Sequence, residues 1–331
     1  MIMNTNTFEF TTSEITQADL VSFADERVNL KSDKVEKFRN QVNNLRDQLE
    51  RYIQEHPDFI FKKLQMSGSL AKGTALSTIN DVDVALYVKG DGSPGELAEL
   101  LPWLVEKLRE TFPSIPRDRI YVDGPCVCIS FKGTGIDVEI SPIMYDGDPN
   151  WYGYLWDRRT GKKKLTSIPL HLEFIRKRKE KQPKHFVQVI RLLKWWARQR
   201  EDDTPGFAFR SFLIELVMAK LADDGVQFDD YLSGLENFFV YIQNSGLKKR
   251  IAFTDNYPTS KLPNEKMGVV EIFDPVSSEN NVADDVTESQ RKLLVDVAEK
   301  ALDALAYARN CQTKSEAIEC WQEVMGSTFN A

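Results

Sequence analysis

The chain has 331 residues, 42% hydrophobic and 28% charged, with 43 Lys+Arg against 50 Asp+Glu and a net charge of -7. With a mean hydropathy of -0.39, this composition excludes a collagen-like, rod-like or mostly disordered chain. No run approaches the roughly 18–20 apolar residues of a membrane helix, and the acidic average argues against a constitutive DNA coat protein while permitting a local basic surface.

The opening MIMNTNTFEFTTSEI lacks the basic and apolar regions of a secretory signal, so a cytoplasmic location is expected. Ser32 or Asp33 is placed to cap a helix, and Asp33 with Glu36 has capping-box spacing. Val35, Phe38, Val42, Leu45, Leu49 and Ile53 then recur at helical spacing up to His56-Pro57. A short segment ending at Met66 leads into GSLAKGTAL, and the apolar run 82–88 predicts a buried strand. A helix is expected over 96–112, then strands at 121–122, 127–131 and 136–144. This order predicts an α/β (α+β) fold with a mixed sheet.

After Trp151 the pattern turns helical: 170–181, broken at Pro183, then 184–200, 211–222, 231–243, 287–308 and 315–325. Gly326 has the character of a C-cap. The basic stretch WDRRTGKKKLTS reads as turn-like, which sets a boundary near 150–168. The expected division is a catalytic core over 1–168, with its N-terminal helix, and a helical domain over 169–331. The cysteines, Cys126, Cys128, Cys311 and Cys320, form no CxxC pair and only three histidines are present, so reduced thiols without structural zinc are expected.

The strongest chemical signal is GSLAKGTALSTINDVDVALYV. Asp81 and Asp83 are two apart at the head of a strand, so both side chains leave one face. Two close carboxylates ionise together cheaply only around a cation, and hard oxygen ligands suit Mg²⁺. The plainer reading is a turn, with Asp83 facing solvent. Upstream, Gly68 and Ser69 with Lys72, Gly73 and Thr74 offer close backbone approach to a phosphate. Downstream, GIDVEISPI places Asp137 and Glu139 on one strand face, opposite Ile136, Val138 and Ile140. If the two strands lie side by side, Asp137 completes a triad suited to two-metal phosphoryl chemistry. A Walker A loop is a poor match, because Lys72 comes one place too early and no long hydrophobic strand precedes it.

These residues resemble the G-S-x-x-x-G-T…D-x-D signature of the polymerase-β-like nucleotidyltransferases. Over nearly its whole length the chain is similar to the bacterial cGAS/DncV-like nucleotidyltransferases, above all to the clade associated with HORMA-domain partners. KHFVQVIRLLKWWARQR, FRSFLIEL, DNYPTSK and FDPVSSENNVADD carry that likeness. The resemblance implies a bilobed molecule with a central cleft. It implies a Mg²⁺-dependent enzyme, with two ions and Mn²⁺ as a substitute, that makes a cyclic oligonucleotide from ATP and other nucleoside triphosphates in anti-phage defence. An adenine-rich cyclic trinucleotide is the expected product. A linear oligoadenylate synthetase or another polymerase-β-like nucleotidyltransferase, modifying RNA or a small molecule, is the alternative enzyme, and a silent nucleotide-sensing scaffold the alternative class.

By the same resemblance Asp81, Asp83 and Asp137 hold the metals, and Gly68 and Ser69 bind the donor phosphates. Lys194 and Ser211 contact the triphosphate, and Phe212 stacks on the base. Read from the residues alone, Lys72 reaches either phosphate or solvent. Phe212 is equally a core aromatic, and Arg191, Lys194 and Arg198 read as a solvated basic face. Trp195 and Trp196 are expected in the core. The segment 158–200 is locally basic, and the expected partners are a HORMA-domain regulator and double-stranded nucleic acid, with no membrane.

Overall fold

A computed structural model describes residues 14–56, 61–89, 95–182 and 184–331. Pro57 and Pro183 lie outside the described residues.

Helix α1 (Gln17–Phe23) starts on a reciprocal cap between Thr16 and Asp19 and runs into a single π turn, Ala24–Val28. Helix α2 (Ser32–Glu55) follows; Lys31 occupies its N-cap position with no side-chain bond, so the capping box expected at Asp33 and Glu36 does not form. Phe38, Val42, Leu45 and Leu49 are all buried along one stripe of α2, as their spacing requires. Each contributes about 1.5–3 kcal/mol of burial.

Strand β1 (Phe61–Met66), the one-turn helix α3 (Gly68–Lys72) and strand β2 (Asp81–Val88) come next. Helix α4 (Leu100–Thr111) is followed by β3 (Ile120–Asp123), β4 (Cys126–Phe131), β5 (Ile136–Tyr145), β6 (Gly153–Asp157) and β7 (Lys162–Thr166). The strands form one mixed sheet in the order β1-β2-β5-β4-β3, with β6 paired to β5 and β7 to β6. Only β2 and β5 pair in parallel among these strands. The stretch read as a turn-like boundary is instead the β6–β7 hairpin, with Leu155 opposite Lys164 and Asp157 opposite Lys162. Tyr154 and Trp156 alternate with Leu155 along β6, a strand period that the neighbouring run of charges obscures.

The two faces of the sheet are covered differently. Val82, Val84, Leu86, Val88, Val138 and Ile140 pack with the α2 stripe and with Leu101, Leu104 and Leu108 of α4. Ala85, Tyr87 and Ile143 pack on the opposite face, with Trp151 and Ile168 against them. A strand covered on both sides reads as a continuous apolar run, which is why β2 was legible.

The helical half comprises α5 (Ile168–Lys181), α6 (Phe186–Asp203), α7 (Ser211–Asp223), α8 (Tyr231–Ser245), α9 (Glu288–Ala308) and α10 (Lys314–Met325), with a small hairpin of β8 (Phe273–Asp274) and β9 (Ser277–Asn281). Gly326 sits at the C-cap of α10 at positive φ. Trp195 and Trp196 are buried in this core. Ile15, Leu20, Phe23, Ala24 and Val28 pack in the same helical core, so the start of the described chain joins the far half. No helix among the described residues is long and apolar enough to cross a membrane.

Candidate active site

The parallel register of β2 and β5 sets Asp81 beside Asp137 and Asp83 beside Glu139. Partners in register project to the same side of a sheet. Four carboxylates therefore share the face opposite α2 and α4, at the mouth of the two central strands. Asp83 is half-buried, and its pKa is raised by burial and by the Asp81 charge, with Lys72 and Lys194 opposing. Burial and the same acidic neighbours push Glu139 to about 7. Carboxylates that share one face of a sheet offer oxygen ligands of the kind a divalent cation takes.

The phosphate turn lies against this face. The backbone N–H of Ser67 donates to the Asp83 carbonyl at 2.9 Å. Gly68 has φ +61°, and a Cβ there would lie 1.7 Å from Oδ2 of Asp83. Glycine is thus required twice, for the backbone angle and for the close approach of the carboxylate. The turn closes through Thr74, whose N–H donates to the Ser69 carbonyl at 2.8 Å.

Helices α6 and α7 brace the turn from the other lobe. Arg191 donates from Nε at 3.0 Å and from Nη2 at 2.7 Å to the Gly73 carbonyl. The Lys194 Nζ donates to Thr74 Oγ1 at 2.9 Å and to Glu215 Oε1 at 2.5 Å. Lys72 Nζ lies 2.8 Å from Glu215 Oε2. Burial pushes the Glu215 carboxyl up, but Lys72 and Lys194 outweigh it and hold its pKa at about 2. Burial lowers Lys194, against the pull of Glu215.

Four of the sequence-predicted residues line two cavities, while Lys72 lines a third, beside Ala71 and Glu173, and Gly68, Asp81, Asp83 and Asp137 line none of these. Ser69, Lys194 and Ser211 line one of about 290 Å³, with Thr74 and Arg198. Phe212 lines a neighbouring cavity of about 460 Å³, with Pro125, Trp156 and Arg210. The ammonium of Lys72 lies 4.5 Å from the Phe212 ring centroid, and His171 meets the ring edge-on at 5.8 Å. Phe212 is thus half-buried, with Lys72 over its ring, and Lys72 is turned inward rather than to solvent. Lys194 does not belong to a solvated face: its side chain is 3% exposed. Arg191 is half-buried on the turn, and of that trio only Arg198 is exposed, bonded to Thr78.

The basic segment is neutralised in part within the fold. Arg159 pairs with Asp284, Lys164 with Asp157, and Arg176 with Glu173 and Glu180. Arg178 is buried between Asp223 and Asp255, and Arg200 pairs with Asp203. Arg158, Lys162, Lys163, Lys177, Lys179, Lys181, Lys184 and Arg198 are exposed and enter no ion pair among the described residues, so the segment keeps an excess of positive charge on the surface.

Sequence reasoning missed Glu215, and it read Thr74 only as backbone of the phosphate turn and Arg191 only as part of a basic helix face. Glu215 had a signal: it is the sole charge in SFLIELVMA, and an acidic residue within a buried run needs a buried partner.

Residues 15–177 match the family model of the Second Messenger Oligonucleotide or Dinucleotide Synthetase domain. The chain is 44% identical over 318 residues to a cyclic AMP-AMP-AMP synthase of Escherichia coli strain MS 115-1, covering 96% of this chain and 99% of the relative. It is 32% identical over 305 residues to the CBASS oligonucleotide cyclase CdnC of Escherichia coli strain KTE188, covering 91% of this chain and 93% of the relative. Among solved structures it is similar to the E. coli MS115-1 CdnC:HORMA-deltaN complex, with a TM-score of 0.89, 44% identity, and coverage of 97% of this chain and 100% of that one. The same E. coli CdnC solved with ATP matches with a TM-score of 0.89 at 44% identity, over 96% of this chain and 99% of that one. The fold alone is shared with the Vibrio cholerae DncV cyclic AMP-GMP synthase in complex with nonhydrolyzable GTP, at TM-score 0.67 and 11% identity over 95% of this chain and 96% of that one.

Proposed function

The chain belongs to the bacterial cGAS/DncV-like nucleotidyltransferases, and from that membership we propose that it condenses ATP into a cyclic trinucleotide of AMP units under control of a HORMA-domain partner. The observation that carries the chemistry is the register of Asp81 on Asp137 with Asp83 against the Gly68 turn. The likeness to a cyclic AMP-AMP-AMP synthase supports the product, and the likeness to a CdnC:HORMA complex supports the partner.

Asp81, Asp83 and Asp137 would hold Mg²⁺, for which Mn²⁺ is a substitute. Divalent cations there supply charge neutralisation to the triphosphate and to the attacking and leaving oxygens. The rest is positioning. The backbone at Gly68 and Ser69 receives the donor phosphates, because first-turn N–H groups have no intrahelical acceptor and Gly68 adds no bulk. Lys194 and Ser211 face the same cavity from the helical lobe and meet the triphosphate there. Phe212 lines the adjoining cavity and offers an apolar surface to a base, a contact tolerant of base identity. The proposed division into 1–168 and 169–331 places this cleft between a sheet lobe and a helical lobe.

The test is incubation of the purified protein with labelled ATP and Mg²⁺, with and without a HORMA-domain protein, followed by phosphatase. A phosphatase-resistant trimer is expected. A labile product would make the enzyme a linear oligoadenylate synthetase, and no product under any condition would leave a nucleotide-sensing scaffold.

A further inference from the structure

We infer that Glu215 is a positioning residue that holds the two lysine ammonium groups of the phosphate site in place and in charge. The inference rests on the triphosphate reading above. Glu215 belongs to α7, one turn beyond Ser211, and its side chain is 2% exposed. Its two oxygens divide the work. Oε1 takes Lys194 Nζ at 2.5 Å and the hydroxyl of Thr74 at 2.7 Å; Oε2 takes Lys72 Nζ at 2.8 Å. One carboxylate therefore fixes cations from α6 and α3, which otherwise meet only through the turn.

The arrangement has a physical cost that explains its form. A lysine buried alone sheds its proton, because burial disfavours the ammonium. Beside Glu215, Lys194 keeps a counter-charge at hydrogen-bond distance. Two lysines against one carboxylate still leave one net positive charge, and of the two Lys194 lies on the wall shared by Ser69 and Ser211. Thr74 links the carboxylate to the turn, since its N–H bonds the Ser69 carbonyl. Lys72 extends the link to Phe212, over whose ring it sits. Glu215 itself lines neither cavity, so its effect on substrate runs through these groups.

The experiment measures binding of ATP and of adenosine to the full chain, below the unfolding temperature of every variant. Glu215→Gln keeps the shape and removes the charge. It is expected to weaken ATP binding about tenfold while adenosine binding shifts by less than about twofold, and to raise the KM for ATP more than it lowers kcat. A purely structural Glu215 would lower the melting temperature and leave the ATP-to-adenosine ratio unchanged, which overturns the inference. Should Glu215→Gln not fold, Thr74→Val carries the test: it removes the bridging hydroxyl, keeps all three charges, and is expected to weaken ATP about threefold or more with adenosine unaffected. Lys72→Met added to Glu215→Gln is expected to cost less than about twofold further, because Glu215 acts through that lysine; a full additive loss counts against the inference. Wild-type protein that fails to bind ATP would overturn the triphosphate reading as well, whereas wild-type binding with an unaltered Glu215→Gln variant sinks this inference alone.

Discussion

Oδ2 of Asp83 occupies the space that a Cβ on Gly68 would fill, 1.7 Å from where that atom would stand. The carboxylate face and the phosphate turn are therefore one packed unit. Gly68→Ala is expected to displace Asp83, abolish product and destabilise the protein by about 1–3 kcal/mol, from overpacking together with the φ of +61°. Product chromatography and thermal unfolding check it; a variant with wild-type turnover would separate the turn from the carboxylates.

Asp81→Ala, Asp83→Ala and Asp137→Ala are each expected to abolish synthesis. Their metal-free melting temperatures should equal or exceed that of the wild type, since each removes one of several crowded like charges. Turnover retained by the Asp137 variant would remove it from the reacting centre.

Glu139 supplies a pH signature in the metal-free protein. Its folded pKa of about 7 stands above the ordinary 4.5, so the fold favours the protonated form. The stability this contributes is fully present below about pH 4.5 and is lost as pH rises through about 7. The whole shift would correspond to roughly 3 kcal/mol. The group is half exposed, and solvent screening reduces the expectation to about 1–2 kcal/mol. Urea melts of wild type and Glu139→Gln at pH 5 and 7.5 measure it: the variant should show the smaller loss. Added Mg²⁺ should stabilise the wild type more at pH 7.5 than at pH 5, and equal stabilisation at both would contradict the carboxylate-face reading.

Lys194→Ala is expected to cost about 3–5 kcal/mol of stability, because it strips a buried carboxylate of its nearest cation. The double variant Lys194→Met with Glu215→Leu should regain most of that stability, since well-packed apolar replacements of buried pairs are often neutral. ATP binding should not recover with it. Recovery of both would return Lys194 to a structural role.

Lys162 and Lys177 are exposed and enter no ion pair among the described residues, and Lys163 is exposed with its ammonium over the Tyr154 ring. Reversing the three to Glu is expected to reduce activation by an acidic protein partner or by duplex nucleic acid, in a salt-sensitive way, and to spare basal synthesis. Assays at two salt concentrations decide it. Full, salt-insensitive activation would make these lysines ordinary surface.

The sequence by itself determined the periodic elements and the chemistry at the head of β2. The α2 stripe, the buried run of β2 and the alternation in β5 each repeat a burial pattern that local spacing expresses. Asp81 and Asp83 were legible because two carboxylates at i and i+2 of an apolar strand are chemically conspicuous. The β6–β7 hairpin was obscured by a run of charges, whose strand character shows only once Lys162, Lys163 and Lys164 stand across the ladder from Asp157, Trp156 and Leu155. Tertiary structure alone decided that Asp137 lies beside Asp81, because register between parallel strands is set by the packing of both sheet faces and not by either strand. It alone decided that Lys194 and Lys72 turn inward to Glu215, 21 and 143 residues away in sequence. A charge on a helix reads as solvated until something opposite pairs with it, and that partner stands on another element, where no spacing rule along the chain reaches.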